Sequence, residues 1–208
     1  MEKKLYDPIM INDLSHENSI QFYQDKVSLI DTEEYSKFIY ASESLFRHSR
    51  FYKDYKANIM ATGLCYDQEM KAITSEMTDI EMHHHLPTLR DAAIIITESH
   101  FINQTPVNSF IVAKELEDCH RNNMMGLLML TTSNHQAYTN DPNAFISIKQ
   151  LYGNPLLFLE KYGPYFPLDI AFKWLLQFKQ EEQYGNITTW YNIPVARQVL
   201  LNWSREFN

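Results

Sequence analysis

The sequence predicts an α+β chain that is mostly helical, with one short β region near its middle. Three observations lead there. Glycine is scarce, at five in 208 residues; apolar residues recur at helical spacing along most of the chain; and runs of two-residue alternation are confined to Gly63–His85. With 45% apolar and 13% aromatic residues, the chain can bury a substantial core, which excludes a disordered or fibrous protein.

The elements follow in order. Asp31 and Thr32 can cap a helix whose apolar side carries Tyr35, Phe38, Ile39, Ser42 and Phe46. From Gly63 the chain reads as a β-hairpin around a polar T-S-E turn, its second strand ending in the histidines at His83–His85. Thr88 with Asp91 resembles a capping box opening a helix over Leu89–Phe101. Thr105 followed by Pro106 supplies an N-cap and a first-turn proline for a helix reaching about Arg121. G-L-L-M-L at Gly126–Leu130 is too short for a helix and reads as a buried strand; Thr132 or Ser133 then caps a helix with His135 on its first turn. Beyond Pro142 the chain reads as helical, with Ala171, Trp174, Leu175 and Phe178 as the stripe of a helix from Pro167 to about Glu182 and another from Pro194 to Phe207. No repeat and no Pro/Gly/Ser-rich linker occurs, so the three regions, 1–62, 63–140 and 141–208, read as one compact unit.

The chain has 26 acidic against 18 basic side chains, a formal charge of -8, so a protein that coats nucleic acid through a global basic surface is disfavoured. Its two cysteines, Cys65 and Cys119, form no CxxC pair, which argues against a disulfide framework and suits a reducing compartment. With no uninterrupted apolar stretch of membrane-spanning length, the expected address is cytoplasmic, the host cytoplasm if a phage encodes the chain.

The chemistry concentrates in D-I-E-M-H-H-H-L-P, Asp79 to Pro87, whose three consecutive histidines lie far from either terminus and so are not a purification tag. Together with N-N-M-M-G-L-L-M-L-T-T-S-N-H at Asn122–His135, this segment resembles the HNH, or ββα-metal, nuclease family, over roughly Gly63–Asn140. The E-M-H-H segment followed by inserted helices also resembles, less closely than the motif itself, proteins of tailed bacteriophages. The resemblance implies a small ββα-metal core with inserted helices and a helical C-terminal lobe. It implies His83 and His135 as metal ligands, His84 as general base, and Asn123, less well Asn122, as the residue that orients the site. Thr139 stands where many members carry a second helix histidine.

Hydrolysis of a phosphodiester needs a base that is neutral near pH 7, which imidazole with a pKa of about 6.5 can be. It also needs a cation on the scissile phosphate, here one divalent ion such as Mg, Mn or Zn. In an ideal strand, however, Glu81, His83 and His85 share one face and Met82 and His84 the other. Unless the backbone turns out of the strand near Pro87, His83 with His85 is the better ligand pair. His100 and His120 read as ordinary packed or surface histidines, with His120 close enough to Asn122 to support a site from behind.

A second stretch, R-H-S-R-F-Y-K-D-Y-K at Arg47–Lys56, spaces Arg47, Arg50, Lys53 and Lys56 every three residues with Phe51, Tyr52 and Tyr55 between them. It is either a nucleic-acid contact, cations on phosphates and rings on bases, or a solvated helix face with its aromatics in the core. Met124 and Met125 read as packing residues.

The sequence thus points to a metal-dependent HNH-type DNA endonuclease. The alternative is a catalytically weak or inactive scaffold of the same kind, a phage accessory factor that binds a host or phage protein. A third reading makes the histidines the ligands of a purely structural ion.

Overall fold

The computed structural model describes residues 32–61, 65–66, 72–73, 79–140 and 145–184. The helix expected over Pro194–Phe207 and the T-S-E turn lie outside them. The described chain runs α1 (Thr32–His48), α2 (Arg50–Ala61), β1 (Cys65–Tyr66), β2 (Ala72–Ile73), β3 (Ile80–Leu86), α3 (Leu89–Ile102), α4 (Ser109–Arg121), β4 (Gly126–Thr131), α5 (Thr132–Asn140), α6 (Pro155–Tyr162) and α7 (Leu168–Gln183). The class is α+β and mostly helical, as the sequence predicts. Among the described residues no helix is long and apolar enough to cross a membrane.

The sheet departs from the expected hairpin. Its strand order is β2-β1-β4-β3, with β1 antiparallel to β2, parallel to β4, and β4 antiparallel to β3. The histidine strand β3 therefore lies at the far edge and does not pair with β1 or β2. The reason is β4, whose six residues are all buried: a strand apolar on both faces is excluded from an edge and must sit between partners. In β3, by contrast, Ile80, Met82, His84 and Leu86 face the core, while Glu81, His83 and His85 face the other way and are only partly covered.

The helices pack on the sheet through the stripes read from sequence. Helix α1 places Glu33 and Glu34 in its first turn and Arg47 and His48 in its last, charges that complement the helix dipole. It buries Phe38, Ile39, Ser42 and Phe46. Ser42 tolerates the core because its hydroxyl bonds back to the Phe38 carbonyl at 2.9 Å. Helix α3 is buried on most sides, with Ala92, Ala93, Ile95 and Ile96 fully enclosed. The Thr88 hydroxyl caps it by accepting from the Asp91 amide at 3.1 Å, but the Asp91 carboxylate takes Lys173 of α7 at 2.9 Å instead of closing a capping box.

Two expected helix starts move. Helix α4 begins at Ser109, not after Thr105, because Asn108 accepts from the Ile111 amide at 2.8 Å and Thr105 is held by His100, hydroxyl to Nδ1 at 2.7 Å. Helix α5 is capped by Thr131, one residue earlier than expected, through the Asn134 amide at 3.2 Å. One apolar core draws on all three sequence regions, from Phe38 and Phe46 through Ile95 and Leu116 to Trp174 and Phe178. Trp174 lies edge-on between Phe166 and Phe178, with ring centres 5.5 and 5.9 Å away.

Behind β4, the segment 152–154 presses against 123–127. Leu127 and Tyr152 exchange both backbone hydrogen bonds, and the Asn154 amide donates to the Asn123 carbonyl at 2.6 Å. Gly153 makes this approach possible: its φ is +87°, and a Cβ there would lie 2.2 Å from the Met125 carbonyl oxygen. Gly153→Ala therefore combines a left-handed backbone with a direct clash. It is expected to destabilise the fold by at least about 1–3 kcal/mol, read as a lowered urea midpoint; an unchanged midpoint would mean this approach is loose.

Candidate functional site

The site forms where β3, β4 and the first turn of α5 meet. Antiparallel pairing sets His83 opposite Leu128 and Ile80 opposite Thr131, and α5 starts directly after Thr131. Its first turn thereby carries His135 back over the Glu81/His83 side of β3. The rings of His83 and His135 meet edge to face, their centres 5.0 Å apart, and the His135 Nδ1 lies 2.5 Å from the Glu81 Oε2. Burial first, and then the neighbouring His85 and His135, pull the His83 pKa down to about 4, so this imidazole is neutral at physiological pH.

His85 shares that face but is committed elsewhere. Its Nε2 lies 3.2 Å from the Gln177 Oε1 of α7, and an amide oxygen only accepts, so this nitrogen carries the hydrogen. The Gln177 amide nitrogen donates to the Ile146 carbonyl at 2.8 Å and to Glu181 at 3.2 Å. The buried Glu181 carboxylate in turn accepts from the Ser147 hydroxyl at 3.0 Å and the Ile148 amide at 2.5 Å. Burial holds the His85 pKa below its ordinary value, partly offset by the ring's own hydrogen bonds to the Gln177 side chain and the Ile146 backbone. The strand's third histidine is thus the seam between the sheet and α7.

His84 points the opposite way, into the core. Its Nε2 meets the His120 Nε2 of α4 at 2.9 Å, and the His120 Nδ1 lies 2.6 Å from the Leu116 carbonyl. That carbonyl only accepts, so His120 is protonated on Nδ1, its Nε2 accepts, and His84 donates. Tyr52 stacks parallel to His84 with ring centres 6.3 Å apart, and Phe46 lies 4.5 Å from His120. Burial, and then the facing His120 and nearby Arg47, hold His84 well below the usual imidazole range; burial brings His120 down to about 4.

The structure therefore brings His83 and His135 together and leaves His84 and Asn123 apart from them. The residue alternation of a regular strand persists through His84, because every position from Ile80 to His84 is paired to β4, and it turns His84 away from His83. Asn123 lies beyond the opposite end of β4 from His135, roughly 20 Å away for a strand of this length. There it has a backbone task. With φ of +52° it follows α4 in the left-handed conformation, while the Asn123 and Met124 amides return to the His120 and Cys119 carbonyls, a Schellman-type helix end.

The basic stretch spans the α1–α2 junction. Arg50 pairs with Asp54 at 3.5 Å, the Arg47 guanidinium reaches the Tyr52 hydroxyl at 3.4 Å, and Arg121 covers the Phe51 ring at 4.3 Å from its centre. Tyr52 is buried and Tyr55 packs on His120 at 5.3 Å, so these rings face inward, Arg47 is engaged on the Tyr52 hydroxyl, and Arg50 and Lys53 stand on the surface. The residue that sequence reasoning leaves out of the site is Glu81; its position two residues before His83, on the same strand face, is the signal that could have found it.

Fold and site together define an α+β protein whose strand–strand–helix unit carries a half-exposed pair of histidines over a core pair. The chain belongs to the bacteriophage G278-like virion protein family, whose model matches residues 2–190. No curated protein and no solved structure matches it.

The histidine environments fix a pH dependence. For His84 and His120 the neutral form is favoured in the folded state, so the unfolded chain binds protons first as pH falls. Their contribution is complete above the unfolded value of about 6.5 and is lost as pH falls below it, for His120 down to about 4, with a slope approaching 1.4 kcal/mol per pH unit per histidine. Urea midpoints should fall steeply from about pH 6.5 to about pH 4.5 in wild type and less steeply in a His84→Phe/His120→Leu double variant. Identical profiles would show that the pair is not buried neutral.

Proposed function

We propose that this chain is a component of the phage particle that works through binding rather than through phosphodiester cleavage. The observation that carries the reading is the His84–His120 pair: the imidazole that would serve as general base is enclosed, donates its Nε2 hydrogen to His120, and lies on the opposite face of β3 from His83 and His135. A base so placed cannot reach a water held beside those two histidines. Membership of a virion protein family supports residence in the particle. The acidic balance and the half-exposed Leu168, Phe172 and Leu176, at every fourth residue of α7, favour contact with proteins over contact with nucleic acid.

A second reading keeps the HNH-type endonuclease, acting on DNA with Mg, Mn or Zn, with His83 and His135 as ligands and His84 as base. It is favoured by the order β3, β4, α5 and by the His83–His135 ring contact. Purified protein incubated with plasmid, single-stranded DNA or RNA and each of these ions should leave all three intact, and His84→Ala should behave as wild type. Cleavage that drops by about 10²–10⁴ in His84→Ala would overturn the binding reading in favour of the nuclease. Mass spectrometry of density-purified particles should detect the chain, and its absence there would remove the particle assignment.

A further inference from the structure

We propose that Thr105, His100 and Glu115 form a hydroxyl–imidazole–carboxylate relay in which Thr105 is an acyl-accepting nucleophile toward small aryl esters. The inference goes beyond the binding role above and uses no residue of β3 or α5. Geometry carries it. The Thr105 hydroxyl lies 2.7 Å from the His100 Nδ1, and the His100 Nε2 lies 2.6 Å from the Glu115 Oε1. A carboxylate only accepts, so Nε2 carries the hydrogen; in the neutral ring Nδ1 then holds the lone pair, and the hydroxyl donates to it. The hydroxyl also lies 3.4 Å from the His100 carbonyl, the longer of its two contacts. A nucleophile bonded to a base that a third group orients is the arrangement that acyl transfer requires.

The fold sets each part. The end of α3 turns sharply: Gln104 takes φ of +54° and the Thr105 amide returns to the His100 carbonyl at 2.9 Å, a Schellman-type reversal that lays Thr105 back over the His100 ring. Thr105 is exposed, whereas the side chains of His100 and Glu115 are only 16% and 26% exposed, so the hydroxyl is the end of the relay that a substrate reaches. Glu115 is fixed from the other side by Tyr162 at the end of α6, whose hydroxyl donates to Oε2 at 2.8 Å. Burial alone would raise the Glu115 pKa, but the hydrogen bonds from His100 and Tyr162 outweigh it and hold the carboxyl below its ordinary value. It therefore stays an acceptor at neutral pH, and Glu115 and Tyr162 are positioning residues for the base.

The Thr105 Oγ bonds the acyl carbon of the ester as its hydrogen passes to the His100 Nδ1; the bond to the leaving oxygen breaks, and the leaving alcohol takes that hydrogen. Water then attacks the acyl-Thr105 ester and gives a hydrogen to Nδ1, and the carboxylic acid departs as the Thr105 Oγ recovers that hydrogen. The turn also limits the substrate. The Gln104 and Thr105 amides are taken by the Phe101 and His100 carbonyls at 3.2 and 2.9 Å, and Pro106 has no amide hydrogen, so these residues offer no backbone donor to charge building on the acyl oxygen. Reaction therefore favours esters whose leaving group is itself acidic, as in aryl esters, with an acyl group small enough to fit beside the threonine methyl.

The test incubates the full-length chain with p-nitrophenyl acetate, follows p-nitrophenolate release above the buffer rate, and locates the acetyl group by peptide mass spectrometry. Wild type should release phenolate and carry acetyl on Thr105. Thr105→Val and His100→Gln should each lose about 10²-fold or more of the rate, and Thr105→Ser, which keeps the hydroxyl, should retain it. Thr105→Val alters an exposed side chain at nearly constant size, so it should unfold at the wild-type temperature and remain informative if His100→Gln fails to fold. Glu115→Gln should lower kcat by about 10²-fold or more with KM unchanged, because the ring loses its orienting acceptor. Phenolate release as fast in Thr105→Val as in wild type, or acetyl found on lysines and not on Thr105, overturns the relay. An unchanged kcat in Glu115→Gln overturns the role given to Glu115.

Discussion

The antiparallel pairing of β3 with β4 is the constraint on which the rest depends. Because β4 is apolar on both faces, it must be enclosed, and β3 is what encloses it on one side. Continuous pairing from Ile80 to His84 keeps the strand regular, and a regular strand sends neighbouring side chains to opposite faces. From that alone, three consecutive histidines acquire three environments: His84 in the core on α4, His85 against α7, and His83 beneath α5. The sheet thus distributes one motif among three helices.

The polar interior follows from the same division. Burying imidazoles is tolerable when each finds a hydrogen-bond partner that suits its neutral form. His120 solves this by anchoring Nδ1 on the Leu116 carbonyl of its own helix, which leaves a single acceptor for His84. Asp91 with Lys173, and Glu181 with Ser147 and Ile148, do likewise for carboxylates at the junctions of α7. All three arrangements join segments distant in sequence, so they act as registration points between helices and sheet.

Much of this was legible in the sequence where the signal is local. The α1 stripe, the buried run of β4, the Trp174 stripe of α7 and the alternation within β3 all follow from side-chain period. What was not legible depends on long-range choices. His84 meets His120 across 36 positions and His85 meets Gln177 across 92, and neither pairing has a local signature. The hairpin expectation failed because adjacency in sequence was taken for adjacency in the sheet, while β4 had the stronger claim to a central place. The start of α4 moved because Thr105 and Asn108 are both able to cap, and His100 holds Thr105. Asn123 shows a further ambiguity: an asparagine after a helix serves a left-handed helix end as readily as a catalytic site.

The Gln177 junction bears on how the molecule could be taken apart. A single carboxamide connects a strand histidine, the Ile146 carbonyl and the Glu181 carboxylate. Withdrawing α7 would uncover an imidazole, a carbonyl and a carboxylate in one step, together with the pocket that held Trp174. Peeling that helix from the sheet would break the His85 and Ile146 contacts of one carboxamide together, and proteolytic nicks near 145–150 would leave a fragment still held to β3 by the same amide.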